Sequence, residues 1–247
     1  MAIAAAVAVP RYRPGVGDDD LPKVTLRMLA RAESLCPRQL ALDHEGQDGN
    51  RTANRRYRVS GQVMADARLA HTVLARPTAA HFPGTDDLEP EERCVYDLAA
   101  RWYVALFGDQ AMAVADPETD DFETIAVRTG VRLIGGAGLA LEDGAGGREL
   151  RLLSLGTMYP EPILDAPSTR FALLRRPHWT RRGPLRVVRA DLLGGWAVAA
   201  DLDGAEAWDP LRTWLTERVD VVRALEDKRE PRAGWECARC RLSLIHI

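Results

Sequence analysis

The sequence predicts an α/β fold, a central mixed β-sheet flanked by helices. Three observations carry that expectation. Apolar residues recur at helical spacing through roughly the first hundred positions. A period-two alternation then takes over and breaks at Gly-rich turns. A last helical stretch precedes a pair of cysteines at the end of the chain. With 247 residues, 46% of them apolar, the chain suffices for one large domain or two small ones.

Residues 1–22 read as a disordered N-terminal segment. Met1 to Val9 is apolar, but no basic residues precede it and Pro10, Arg11 and Arg13 follow, which does not fit a signal peptide. Val24 to Leu42 reads as a helix with Thr25 as its N-cap and Pro37 breaking it beside Cys36. Residues 43–58 read as a polar loop carrying Arg51, Arg55, Arg56 and Arg58. Val59 to Ala75 returns to helix, with Val63, Ala67, Ala70 and Leu74 on one face and His71 beside Ala70. Glu89 to Phe107 is the next helix, with Val95, Leu98, Ala99, Trp102 and Leu106 directed inward and Cys94 an ordinary helix residue.

After a loop over 108–121, strands are expected at Phe122–Val127 and Val131–Ile134, the second continuing through Gly138–Glu142. Asp143 to Arg148 is a hairpin turn, and Glu149–Leu155 the strand that follows it. Ser168–Leu174 reads as a short helix. Leu185–Leu193 and Trp196–Leu202 form a hairpin about Gly194-Gly195. Trp208 to Glu226 is a helix whose face is lined by Leu211, Trp214, Leu215, Val219, Val222 and Leu225. A charged linker over 227–236 leads to the cysteines.

Charge and cysteine usage narrow the classes of function. The net charge of −3 gives no global signal for nucleic acid and leaves only local patches to bind it. Four cysteines without a dense framework argue against a secreted disulfide scaffold. No run approaches the roughly 18 apolar residues of a membrane span. A cytoplasmic location is expected, where thiols stay reduced.

Cys237-Ala-Arg-Cys240 closes a tight turn and brings two thiolates near enough to hold one metal or cluster. Leu242 to Ile247 reads as a translated sequencing adapter, so residues 242–247 are expected to be a non-native tail that displaces a fourth ligand. The alternative is a zinc site of Cys36, Cys237, Cys240 and His246. A plainer reading makes Cys36 a buried helix cysteine and the pair a coincidence.

Over most of residues 23–241 the chain resembles the RecB-like and AddB-like nucleases of the PD-(D/E)XK superfamily, with its restriction-endonuclease-like core. Cys36-Pro37-Arg38 matches that family's N-terminal cysteine helix. His71 falls where its histidine stands, and Glu123 where it has a glutamate ahead of the Gly-x-x-Asp strand. Gly135-Gly-Ala-Gly138 falls on Gly-x-x-Asp, with Gly138 in place of the acid. Leu152-Leu-Ser154-Leu-Gly156 falls on Asp-x-Lys-Thr-Gly, with Leu152 for the acid and Ser154 for the lysine. The resemblance implies a [4Fe-4S] cluster held by Cys36, Cys237, Cys240 and a missing cysteine, and a site that holds Mg²⁺ if it is active. It also implies DNA as partner, with a helicase subunit as a candidate second partner, and a role in repair or recombination.

Without both acids and the lysine, the expected site is degenerate. Glu149-Leu-Arg151 is the nearest Glu-x-basic substitute, but strand parity turns it to the opposite side from Leu152 and Ser154. A basic stretch from Arg170 to Arg189, with Arg175, Arg176, Arg181 and Arg182 at its centre and Trp179 among them, suits phosphate tracking and base stacking as well as a solvated loop. The readings carried forward are a DNA-binding nuclease-family protein with a degenerate site, a non-catalytic scaffold that docks a partner, and an unrelated zinc protein.

Overall fold

A computed structural model describes residues 23–31, 51–72, 75–84, 86–115, 131–134, 138–156 and 162–228. In chain order the elements are β1 (Lys23–Thr25), α1 (Leu26–Arg31), α2 (Arg51–Ala70), α3 (Pro90–Phe107), β2 (Ala113–Val114), β3 (Arg132–Ile134), β4 (Leu139–Glu142), β5 (Arg148–Ser154), α4 (Pro167–Leu174), α5 (Pro177–Thr180), β6 (Pro184–Asp191), β7 (Trp196–Asp203) and α6 (Gly204–Lys228).

Five strands form one mixed sheet in the order β2-β4-β5-β6-β7, as the alternating pattern predicts. All neighbours are antiparallel except β5 and β6, which run parallel across the helical crossover of α4 and α5. The β4–β5 hairpin turns at Asp143, whose Oδ1 accepts from the N–H groups of Ala145 and Gly147 at 2.8 and 2.7 Å. That side chain mimics a backbone turn, which is why Asp-Gly punctuates this stretch.

Period-two alternation gives each face of the sheet its own core. Leu139, Leu141, Val188 and Ala190 meet Val59, Val63 and Ala67 of α2 and Tyr96, Ala99, Tyr103 and Phe107 of α3 on the first face. Leu150 and Val187 meet Met28 and Leu29 of α1, Phe171 and Leu173 of α4, and Leu211, Leu215 and Val219 of α6 on the second. The two faces thus differ by one residue of register, and every strand residue between them has an assigned side.

Several elements depart from the sequence expectation. Residues 23–25 are a short strand paired in parallel with β3, and only then does the helix begin, with Thr25 Oγ1 accepting from the Met28 N–H at 3.2 Å. β3 and β4 are separate strands in separate sheets, not one continuous strand. Helix α2 starts at Arg51, eight residues before the first apolar position that marked it. Its opening turns carry Arg51, Ala53, Arg55 and Arg56, which favour helix without marking an apolar face.

Helix α3 is rotated by about one residue from the expected phase. Its buried side is Glu92, Tyr96, Ala99, Ala100, Tyr103 and Phe107, while Trp102 is exposed and Val95, Leu98 and Leu106 are half-buried. The reason is that Tyr96 and Tyr103 carry hydroxyls that find partners inside. Tyr96 donates to the buried Asp66, and Tyr103 joins the cluster described next. Cys94 is exposed on the other side of α3. The expected strand at 122–127, the N-terminal segment and the cysteine-bearing ends lie outside the described residues.

Candidate functional site

His71 stands one residue past the end of α2, where Val114 of β2 donates its N–H to the His71 carbonyl at 2.7 Å. The ring is fully buried. Nδ1 lies 2.8 Å from the Met112 carbonyl, which can only accept, so Nδ1 carries the proton and Nε2 is the acceptor. Nε2 sits 2.9 Å from the Tyr103 hydroxyl and 3.1 Å from Arg151 Nη1. Burial lowers the His71 pKa to about 4, opposed by the Met112 hydrogen bond and aided by the Arg151 charge. The ring is therefore neutral near pH 7.

Alternation along β5 brings Glu149 and Arg151 to this same first face. Arg151 is completely buried, and each part of its guanidinium is engaged. Nε donates to Glu149 Oε1 at 2.5 Å, Nη1 to the Tyr103 hydroxyl at 3.2 Å, and Nη2 to Gln110 Oε1 at 2.5 Å and Met112 Sδ at 3.2 Å. Its carbon centre stacks 4.0 Å from the Phe107 ring centroid. The arrangement is a closed network in which donors and acceptors match, which holds α2, α3 and the sheet in one register.

His71 is thus brought together with the Glu-x-Arg substitute and not with the degenerate positions. Leu152 packs into the second core, on the other side of the sheet. Gly138 directly precedes β4, and the pairing of Leu139 with Arg151 sets it beside Leu152. Gly138 has a φ of +70°, and a Cβ there would lie 2.5 Å from the Arg151 carbonyl oxygen and 2.8 Å from Leu152 Cδ2. An aspartate does not fit this backbone without a shift. The Ser154 hydroxyl donates to the Ala190 carbonyl at 3.3 Å.

A hard cation such as Mg²⁺ needs anionic oxygen ligands, and Gly138, Leu152 and Ser154 supply none. His71 has both ring nitrogens committed. Among the described residues no three His, Cys, Asp or Glu side chains come close enough to share a metal. Glu123, Cys36, Cys237 and Cys240 lie outside the described residues, so the expected cluster ligands and that glutamate are not placed.

The basic stretch is largely woven into the fold. Arg176 donates to the Gly138 carbonyl at 3.2 Å. Arg181 donates to the Pro177 carbonyl at 3.1 Å and stacks over Trp208 at 5.2 Å. Arg182 pairs with Glu142 at 2.5 Å while more than half its side chain faces solvent. Arg175 is half-buried at the end of α4. Trp179 is turned inward, donating to Glu142 at 3.1 Å under the Arg148 guanidinium, so it offers no open face to a base. Arg148 itself feeds the carbonyls of Trp179, Gly183 and Pro184.

The sequence singles out His71 but neither its neighbour Tyr103 nor Gln110, which accepts from Arg151. The seven-residue spacing of Tyr96 and Tyr103 on α3 was the available signal. Arg189, which closes the basic stretch and falls in the strand expected over Leu185–Leu193, lies on β6, nine-tenths buried, beside Leu152. A scan against protein-family models finds no match for this chain, and a search of curated proteins finds none. No helix among the described residues is long and apolar enough to cross a membrane.

Proposed function

We propose that the chain is a RecB-like PD-(D/E)XK nuclease-family protein that binds DNA in repair or recombination without cutting it. The observation that carries the reading is at Gly138 and Leu152, where the resemblance expects two metal-binding acids and this chain has none; a Cβ at Gly138 would lie 2.8 Å from Leu152 Cδ2. The succession of elements supports the same reading: a helix ending at the histidine, the β4–β5 hairpin, the α4 crossover, the β6–β7 hairpin and a long helix. On this reading Cys36, Cys237 and Cys240 hold an iron-sulfur cluster whose role is structural, tying the ends of the domain together.

A second reading, a partner-docking scaffold, is favoured by Trp196 and Val198, which are 42% and 45% exposed on edge strand β7. Anaerobic purification followed by iron, sulfide and zinc assays, with titration of single-stranded DNA in EDTA, tests the choice. The proposal expects a brown protein with matched iron and sulfide that retains DNA. A protein with zinc or no metal and no affinity for DNA would overturn it.

A further inference from the structure

Arg189 has surroundings unlike those of any arginine described above. It is 7% exposed, yet among the described residues no carboxylate, carbonyl or hydroxyl accepts a hydrogen bond from it. A guanidinium keeps its charge, so with no acceptor among the described residues its donors turn to solvent or to a ligand at the margin of the sheet. Its nitrogens are not among the fully enclosed, unpartnered polar atoms, so they keep some contact with solvent.

The neighbourhood explains why no partner answers among the described residues. Register places Arg189 between Leu152 on β5 and Val198 on β7, with Gly138 beyond Leu152. That row across the second face is apolar on both sides of the charge. The nearest carboxylate along the strand on that face is Asp191. Its Oδ1 is turned back into the β6–β7 turn, accepting from the N–H groups of Gly156, Leu193 and Gly194 at 3.0, 3.0 and 3.1 Å. The Ser154 hydroxyl is committed to Ala190.

We infer that Arg189 is the anchor of an oxyanion subsite on the second face of the sheet, built to take a phosphate group of a single-stranded nucleic acid. The planar fork of a guanidinium matches two phosphate oxygens at once. Trp196 and Val198 extend the same face toward the edge of the sheet, both partly exposed, and give a base or sugar an apolar surface to lie on. A carboxylate peptide would use the charge but not the aromatic platform, which favours the nucleic acid. The inference deepens the proposed function and rests on it for the choice of ligand. It places a fixed positive charge beside the positions where the family's metal ligands are expected, and so lets the face hold phosphate without a metal.

The test uses the full chain in EDTA. A short labelled single-stranded oligonucleotide is titrated by fluorescence anisotropy against wild type, Arg189→Met, Arg189→Lys and the exposed-strand control Arg186→Met. In parallel, thermal unfolding is followed with and without inorganic phosphate. The expected result is an affinity loss of about ten-fold or more for Arg189→Met. A smaller loss is expected for Arg189→Lys, which keeps the charge without the fork, and none for Arg186→Met. Phosphate should raise the melting temperature of wild type but not of Arg189→Met. Should Arg189→Met fail to fold, Arg189→Lys carries the comparison. Unaltered oligonucleotide binding in both variants would overturn the subsite and leave the proposed function standing. Phosphate stabilisation through Arg189 without oligonucleotide binding would keep the subsite and remove the nucleic-acid reading. No response to either probe, or preference for a polyglutamate peptide, would overturn the inference.

Discussion

Arg151 and Arg189 lie on adjacent strands and face opposite sides of one sheet. Arg151 is fully buried with every part of its guanidinium engaged, against Glu149, Tyr103, Gln110, Met112 and the Phe107 ring. Arg189 is nearly as buried and has no acceptor among the described residues. Burial alone therefore does not separate a structural charge from a binding one. Saturation does: a guanidinium whose donors are all used holds the fold, and one whose donors are idle has capacity left for a ligand.

The largest expected effect comes from breaking the saturated side. Arg151→Met leaves the buried Glu149 carboxylate without its partner and should cost about 3–5 kcal/mol in urea unfolding. A loss below about 1 kcal/mol would mean that the network is not what holds α2 and α3 to the sheet.

A second effect follows from His71. Its folded pKa of about 4 lies below the ordinary value of 6.5. Between those values the unfolded chain binds a proton that the folded chain refuses. The stability that neutral His71 contributes is thus fully present above pH 6.5 and is lost as pH falls toward 4, by up to about 1.4 kcal/mol per pH unit. Unfolding free energies measured from pH 7 to pH 4 should show this slope, and His71→Gln should flatten it.

Gly138 gives a smaller effect on the other side. Gly138→Asp, which writes the expected acid back, should destabilise by about 1–3 kcal/mol because its backbone is left-handed and crowded by the Arg151 carbonyl. It should not create metal-dependent cleavage. Smallest is Arg189→Met, which removes an unpaired charge from a buried place. Its melting temperature without ligand should match or slightly exceed that of wild type. A marked loss would show that Arg189 has a structural partner after all, and would erase the contrast with Arg151.

Much of this was legible in the sequence, and for definite reasons. The strand and turn pattern from Leu139 to Asp203 could be read because alternating residues meet two cores and Gly195 ends the β6–β7 turn at a φ of +69°. The last helix could be read from Leu211, Leu215 and Val219. The phase of α3 was carried only by the seven-residue spacing of Tyr96 and Tyr103, a weak signal because these amphipathic residues turn inward toward their partners Asp66 and His71. The start of α2 was hidden by its arginines. His71 was singled out by its place in the order of elements, but its company on the Glu149–Arg151 side depends on long-range packing across α3. Arg189 differs from its basic neighbours only through burial and register, which no local pattern records.

The central claim is that this face of the sheet holds DNA without cutting it. Incubating end-labelled single-stranded DNA with the full chain and Mg²⁺ or Mn²⁺, then resolving both the complex and the labelled strand, tests it most directly. The account predicts a retained, full-length strand whether or not metal is present. Metal-dependent shortening of the label would contradict it.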